Sequence, residues 1–338
     1  MKSNYRYIVK AFMAMAVIAG TTSCDDFLDR EPMSSISPET YYSTAAQLEA
    51  NLNDEYLNVL PSFGQWTYGI FGEDKGTDNQ IEVNANDRYT QDRWKVPHSE
   101  SDNWKFERIY RINFFLSEAL PKFGEDMSGS QNTISGSVAT IKHYIGEMYF
   151  LRAYEYFKKL QLFGDFPIIN QPLADEMEAL REASKRFPRN EVARFIISDL
   201  DKAYAYMSDV DMATTRINKD AAMLVKSRVA LFEATWLQNF KGTAFVPGGE
   251  GWPGASLHNN YQYPSGNLDN EVKYFLEQAV EASKLVADKY KGNLTENTGV
   301  LQQSADDPSN PYFDMFAQED LSDVKEVLLW RQYARGLS

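Results

Sequence analysis

Residues 138–163 carry the strongest helical periodicity in the chain, and apolar or aromatic side chains lie on more than one side of the predicted helix. A helix that is apolar all round is normally buried between other helices, because each of its faces has to be shielded from water. The rest of the chain is therefore expected to supply the helices that surround it.

Further amphipathic stripes predict those neighbours. At least six helices follow one another with no alternating strands between them, so we predict an all-α dominated fold. A capping box of Thr44 and Gln47 predicts the start of the first helix. The helices that follow are predicted to begin at Asn103, Val138, Asn190, Asn218 and Val272. The second helix ends at Leu120 before Pro121, and the last is closed by Gly292. Helix pairs joined by short loops recur as in tetratricopeptide arrays, although no strict repeat period is present, and this predicts a tetratricopeptide-like helical scaffold.

Two segments depart from the helical pattern. Residues 62–103 lack sustained periodicity and predict a long irregular excursion, and long ordered loops in compact domains are usually functional. Residues 324–333 have the pattern of a strand. That strand would need a partner from an earlier segment or from sequence beyond Ser338.

The amino terminus has the order of a lipoprotein signal. Three basic side chains precede an apolar run over residues 11–20, and small residues lead directly to Cys24, the only cysteine of the chain. The run is too short to span a bilayer, which takes about 20 residues. We expect residues 1–23 to be a signal peptide, residues 24–43 a lipidated tether on Cys24, and residues 44–338 one helical domain. The alternative is an ordinary secretory signal in which Cys24 is incidental.

Net charge limits the ligand class. The formal charge is -14, and the first 23 residues hold three basic and no acidic side chains, so the remainder is more negative still. Nucleic acid is not an expected partner, because its phosphates require clustered Lys and Arg. A negative surface suits neutral ligands and repels anionic ones unless a local basic pocket compensates.

The sequence contains no recognisable catalytic motif, and we predict neither a metal site nor a cofactor. The three histidines lie far apart, and neither a Gly-x-Ser-x-Gly elbow nor a Walker A motif is present. Glu147 and Glu155 could be taken for a glycosidase pair, which needs carboxylates roughly 5 to 10 Å apart. Eight residues of helix separate them by about 12 Å along the axis. Arg152 and Glu155 are instead expected to form an ion pair between helices.

Sugar binding needs flat aromatic faces and planar polar groups rather than an acid and a base. The excursion supplies that mixture at Trp66, Tyr68, Asp78, Arg93 and Trp94, which are the predicted ligand-binding residues. The alternative is that these aromatic side chains only hold the loop against the helices. The same two interpretations apply to Trp252, Asn259, Asn260 and Tyr261.

Several segments together resemble the SusD/RagB family of Bacteroidetes nutrient-binding lipoproteins. Residues 23–29 (SCDDFLD) match its amino terminus, and residues 146–157 (GEMYFLRAYEYF) followed by residues 162–168 (LFGDFPI) are the most specific match. Supporting matches are residues 188–192 (PRNEV) and 217–222 (INKDAA), in the expected order.

The resemblance implies a tetratricopeptide-like scaffold with ligand-binding loops on one side. It also implies a lipid-anchored protein of the cell outer membrane, exposed at the surface, with a SusC-like TonB-dependent barrel as partner and an oligosaccharide or a peptide as ligand. Asp25 and Asp26 are similar to the surface-export signal of that phylum. Family members are considerably longer, so we expect this sequence to be the amino-terminal part of the family fold.

The function expected from this resemblance is capture of glycan nutrient and its delivery to the transporter, without enzymatic activity. Two alternatives remain open. One is a surface glycoside hydrolase, and the other is a peptide-binding lipoprotein or a scaffold lipoprotein without ligand binding of its own.

Overall fold

Helices dominate the part of the chain that the structure describes. The computed structural model describes residues 41–62, 103–124, 126–208, 212–301, 304 and 306–333. Its α-helices, in chain order, are α1 (Ala45–Val59), α2 (Glu107–Phe123), α3 (Val138–Phe163), α4 (Met177–Ala183), α5 (Arg189–Tyr206), α6 (Lys219–Asn239), α7 (Leu268–Tyr290) and α8 (Pro311–Ala317). The predicted all-α dominated, tetratricopeptide-like scaffold is thereby confirmed.

Helix α3 is the centre of the core, and its predicted bounds are confirmed. Seventeen of its residues, including Ile145, Leu151 and the fully enclosed ring of Tyr156, are buried. Helices α1, α2 and α5 pack around it. A helix with apolar side chains on all sides therefore occupies the position that its sequence requires.

The four long helices α3, α5, α6 and α7 each run antiparallel to the one before. Arg152 in the middle of α3 pairs with Asp199 on α5, whereas Gly146 near the start of α3 lies against Ala203 and Met207 at the end of α5. At one end of α6 and α7, Lys241, two residues after α6, pairs with Asp269 in the first turn of α7. At their other end Asp220 accepts hydrogen bonds from Lys289 and Tyr290.

Helix starts follow the predicted capping chemistry at Thr44 and Asn218, and a third cap, Ser137, was not predicted. The Oγ1 of Thr44 accepts from the backbone N–H of Gln47 at 3.3 Å, and the Gln47 side chain accepts from the N–H of Thr44 at 3.1 Å, which confirms the capping box. Ser137 caps α3, and Asn218 caps α6. Each cap satisfies a backbone donor that the first turn leaves free.

Several sequence-based predictions were wrong in detail, among them the start of α7, which lies at Leu268 rather than at Val272. Helix α2 begins at Glu107 rather than Asn103 and includes Pro121 in its last turn, ending at Phe123 before Gly124. Helix α5 begins one residue before Asn190. Residues 324–333 contain turns and irregular backbone rather than a strand. They lie against the amino end of α6, where the Trp330 N–H donates to the Thr214 carbonyl at 3.1 Å.

Candidate ligand-binding site

One end of the helix stack gathers the irregular segments of the described chain. Because neighbouring helices alternate in direction, the carboxyl ends of α3 and α6 lie beside the amino ends of α5 and α7. The connection between α6 and α7, residues 240–267, is rich in aromatic side chains, and we call it the aromatic loop. This end of the scaffold therefore displays a surface formed by loops rather than by helix faces.

Asp165 connects the segment after α3 to both α5 and the aromatic loop. Its Oδ1 accepts from the backbone N–H of Arg189 at 2.8 Å, which caps the amino end of α5 from a distant part of the chain. Its Oδ2 accepts from the indole Nε1–H of Trp252 at 2.8 Å. Burial raises the pKa of Asp165, although these two hydrogen bonds act in the opposite direction.

Arg189 and Glu233 form a buried ion pair directly beneath the loop. The Arg189 Nη2 lies 2.9 Å from Oε2 of Glu233, and the guanidinium stacks 4.1 Å from the ring centroid of Trp236. Burial raises the pKa of Glu233, while the Arg189 charge and its hydrogen bonds lower it. The pair fixes the carboxyl half of α6 against the first turn of α5.

A second polar cluster fixes the end of the aromatic loop. Tyr261 exchanges hydrogen bonds with the Asn190 side chain at 2.9 and 3.1 Å, and Asn190 donates to Glu271 at 3.0 Å. Arg194 donates to both oxygens of Glu271, at 2.7 and 2.8 Å. Burial alone would raise the pKa of Glu271, but the hydrogen bonds from Arg194, Asn190 and Ser265 lower it overall. The loop is therefore held rigidly at several points.

Both ends of the predicted excursion are tied to α3 near its carboxyl end. Lys158 donates to the Val59 carbonyl at the end of α1. The adjacent Lys159 donates to the Asn103 carbonyl at 2.7 Å. The chain therefore leaves and re-enters the described region beside the segment that leads to Asp165.

The predicted ligand-binding residues have different outcomes. Trp66, Tyr68, Asp78, Arg93, Trp94 and the predicted lipidation site Cys24 lie outside the described residues. Trp252 is buried and forms a hydrogen bond with Asp165, and Tyr261 forms hydrogen bonds with Asn190. For these two residues the structure supports the interpretation that they hold the aromatic loop in place. Asn259 and Asn260 are exposed on the loop.

The glutamates considered for catalysis are held in buried networks. Glu147 is fully buried and accepts from the Tyr56 hydroxyl at 2.7 Å and from Arg216 at 2.8 and 3.0 Å. Glu155 lies among Arg108, Lys158 and Lys159 at 3.3 to 3.7 Å. The predicted Arg152–Glu155 ion pair was wrong, because the Arg152 guanidinium faces α5 and donates to Asp199 at 2.6 and 2.8 Å.

Neither a metal cluster nor a membrane helix occurs in the described residues. Within them, no three or more His, Cys, Asp or Glu side chains are grouped so that they could hold a metal ion. Over the same residues, no helix has the length and apolarity needed to cross a bilayer.

Comparison with known proteins identifies the family. Residues 26–231 match the sequence profile of the SusD-like family, described as starch-binding and associating with the outer membrane. Two curated relatives from Formosa agariphila are similar over much of the chain: SusD-like protein P25 is 25% identical over 63% of this chain, and SusD-like protein P2 is 25% identical over 71%. The aligned regions make up 41% and 46% of those relatives, so this chain spans less than half of their length.

Solved structures of SusD-like proteins are also similar in part. A SusD-like carbohydrate binding protein from Bacteroides vulgatus has a TM-score of 0.45 and 14% identity over 76% of this chain and 47% of its own. Another from Bacteroides fragilis has a TM-score of 0.44 and 16% identity over 76% of this chain and 42% of its own. On the match to its profile over residues 26–231, the chain belongs to the SusD-like family of starch-binding proteins that associate with the outer membrane.

Proposed function

We propose that this chain binds oligosaccharide nutrient at the cell surface and delivers it to a SusC-like TonB-dependent transporter. The observation that carries the proposal is the match of residues 26–231 to a family of starch-binding proteins associated with the outer membrane. Because the chain spans less than half of its curated relatives, glycan binding by this chain alone is part of the proposal.

The proposed contacts with glycan come from the excursion, through Trp66, Tyr68, Asp78, Arg93 and Trp94. Their side chains combine aromatic faces, which cover the apolar side of a pyranose, with planar polar groups that bind hydroxyls. Support comes from the anchoring of Val59 and Asn103 to the carboxyl end of α3, close to the aromatic loop. In the aromatic loop, Phe245 is 62% exposed to solvent.

The proposed role is binding without catalysis, and no catalytic residue is assigned. A general acid needs a carboxyl that can exchange a proton with the substrate. Glu147 is enclosed and engaged by Tyr56 and Arg216, and Glu155 is buried among three cations, so both carboxyls are held by partners within the protein. These contacts argue against the glycoside hydrolase alternative.

The proposed location is the outer face of the outer membrane, reached through a lipid on Cys24. Two or more acyl chains hold a protein stably at a membrane, at about 0.8 kcal/mol per buried CH₂. Asp25 and Asp26 follow the cysteine and would act as the surface-export signal.

Isothermal titration of the purified chain against neutral and anionic oligosaccharides and against peptides tests the proposal. We expect heat of binding with at least one glycan, and a loss of about 1–3 kcal/mol of binding free energy in Trp94→Ala, by analogy with aromatic stacking on flat rings. Tyr312→Ala is the control, because Tyr312 is an exposed aromatic residue on α8, which follows the opposite end of α7.

Other results would favour the alternatives. Binding of peptides alone would assign the chain to the peptide-binding members. Release of reducing sugar would indicate a hydrolase, and co-purification with the barrel in the absence of any ligand heat would indicate a scaffold. Each of these outcomes contradicts the proposed glycan binding.

A further inference from the structure

A basic groove lies beside the aromatic loop, at the end of the scaffold where the irregular segments meet. It has a volume of about 550 Å³ and is lined by Arg181, Glu182, Ser184, Lys185, Arg186 and Leu257. Three cations and one carboxylate thus face the groove, in a chain whose overall formal charge is -14. The groove therefore carries a local positive charge, whereas the chain as a whole is negative.

Arg186 is held in place through both its side chain and its backbone. Its guanidinium stacks 4.5 Å from the ring centroid of Trp104. That indole is itself fixed by edge contacts with Phe163 at 4.8 Å and Phe166 at 4.9 Å. Behind the side chain, the Arg186 carbonyl lies 2.8 Å from Nε2 of His258, and the next residue, Phe187, forms a short antiparallel bridge with Phe166.

The guanidinium of Arg186 retains its hydrogen-bonding capacity for a ligand. Among the described residues Arg186 forms no ion pair, and its side chain is exposed to solvent. Stacking on an indole occupies the face of a guanidinium and leaves the in-plane N–H donors free. These donors form a planar fork that fits two oxygens of a carboxylate or a sulfate.

The other two cations of the groove are held only by exposed local partners. Arg181 pairs with Glu178 at 2.9 Å, and Lys185 pairs with Glu182 at 2.5 Å, each three residues away and with side chains at least half exposed. Exposed pairs of this kind contribute little stability, so an anionic ligand can compete for the cations. Leu257, 54% exposed, adds an apolar patch against which a sugar ring can pack.

We propose that this basic groove binds an oxyanion carried by a glycan, as the carboxylate of a uronic acid or as a sulfate ester. The proposal rests on the proposed glycan binding and narrows its substrate class. A neutral starch fragment can accept hydrogen bonds from a guanidinium, but it carries no negative charge to pair with the three cations of the groove. An acidic glycan approaching this negative protein requires such a local site of opposite charge.

Calorimetric titration of the full chain with three probes tests the groove. The probes are an oligogalacturonate, a sulfated galactan oligosaccharide and a neutral maltooligosaccharide. We expect binding of at least one anionic probe, weakened about tenfold or more in Arg186→Gln, because a charge-assisted bidentate contact is lost. Arg186→Lys keeps the charge but loses the planar fork, so it should give an intermediate affinity. Raising the salt concentration to about 0.5 M should weaken the anionic probe and leave the neutral probe unchanged.

Lys284→Gln is the matched control, because Lys284 is an exposed lysine paired with Asp288 on α7, away from the groove. It removes one positive charge and should leave every affinity unchanged. Lys185→Gln provides a second groove variant if Arg186→Gln does not fold.

The outcomes separate this inference from the proposed function. Binding of the neutral probe alone, or equal anionic affinity in wild type and Arg186→Gln, overturns the groove while glycan binding stands. Absence of heat with both anionic probes overturns the groove, and absence of heat with the whole panel of oligosaccharides contradicts glycan binding itself. Which anionic probe binds identifies the oxyanion as carboxylate or sulfate.

Discussion

Arg152 illustrates what single residues can and cannot predict. Its place on the buried helix α3 pointed to an ion pair between helices, and such a pair exists. The partner is Asp199 on α5 rather than the nearby Glu155, because the Arg152 guanidinium donates to Asp199 and Asn113, whereas Glu155 lies among Arg108, Lys158 and Lys159. Spacing along one helix predicted the kind of interaction, whereas the identity of the partner depends on tertiary packing.

Removal of the Arg152 guanidinium should strongly destabilise the protein. The side chain is buried, donates twice to Asp199 and also donates to Asn113 at 2.9 Å, so Arg152→Ala removes both hydrogen bonds to a buried carboxylate and leaves it only the more distant Lys202, at 3.7 Å, as an ion-pair partner. We expect a loss of about 3–5 kcal/mol in the free energy of unfolding, measured by urea denaturation. Arg181→Ala, which breaks an exposed pair, should cost less than about 1 kcal/mol. A comparable small loss in Arg152→Ala would contradict the assignment of this pair to the core.

Glu55 should make stability fall as pH rises through neutrality. Burial raises the pKa of Glu55 to about 7 from an ordinary value of 4.5, with Arg108 opposing and Glu107 adding to the increase. One oxygen accepts from Arg111 at 2.7 Å, and the other has no hydrogen-bond partner among the residues that the structure describes. Between those two pH values the folded state holds a proton that the unfolded state has lost, so stability is greatest below about pH 4.5 and decreases towards pH 7.

Glu55→Gln should remove this pH dependence, because the amide stays neutral. The difference in unfolding free energy between Glu55→Gln and wild type, followed from pH 5 to 8, should change by about 1–3 kcal/mol in favour of the variant at high pH. Glu277→Gln, an exposed carboxylate on α7, is the control and should show a flat difference. A flat difference for Glu55→Gln as well would show that its folded pKa is ordinary.

At the scale of elements, Gly146 marks the closest approach of α3 to α5. A Cβ at this position would lie 2.8 Å from the backbone N of Met207 and 3.0 Å from the carbonyl O of Ala203. Gly146→Ala gains about 1 kcal/mol of intrinsic helix propensity but forces two backbones apart, which costs about 1–3 kcal/mol. We expect a net decrease in melting temperature. Ser198→Ala, at an exposed position of α5, should not decrease it.

Helices were predictable where the apolar pattern was long and the caps were local. The bounds of α3 and the capping box at Thr44 depend on side chains within a few residues of each other. Residues 324–333 were not predictable in this way. Their apolar side chains have the pattern of a strand, but in the described chain they pack against the end of a helix and not against the edge of a sheet. Leu328 and Leu329 pack against the helical core, and tertiary context overrides the local preference.

Asn218 should couple the start of α6 to this terminal segment. Its Oδ1 caps the N–H of Ala221 at 3.0 Å, while its Nδ2 donates to the Leu328 carbonyl at 2.6 Å. Asn218→Ala should lose about 1 kcal/mol of stability, whereas Asn218→Asp keeps the cap and loses only the donor. Both variants should accelerate hydrogen exchange at the Trp330 amide, and the Phe240 amide at the far end of α6 is the internal control. An unchanged Trp330 rate would contradict the coupling.

At the scale of the whole molecule, the scaffold was more predictable than its ligand surface. Helical periodicity predicts which faces are buried, and it therefore gave the stack of helices around α3. The basic groove depends on Arg186 meeting Trp104 and Leu257, residues from three separate segments that no local pattern connects. Likewise, Trp252 and Tyr261 are aromatic residues of the kind that bind sugars. Their hydrogen bonds to Asp165 and Asn190 show that they instead hold the aromatic loop in place.

We propose that the whole chain is attached to the membrane through one atom, the acylated Sγ of Cys24. In this proposal, acyl chains retain the protein at a bilayer, at about 0.8 kcal/mol per buried CH₂. In a Gram-negative host without a SusC-like barrel, the wild-type chain should incorporate labelled palmitate and sediment with membranes. Cys24→Ser should lose the label and move to the soluble fraction, while Trp94→Ala should behave as wild type. If Cys24→Ser stays with the membranes after a high-salt wash, another part of the chain holds it there, because salt removes electrostatic attachment but leaves buried apolar groups in place.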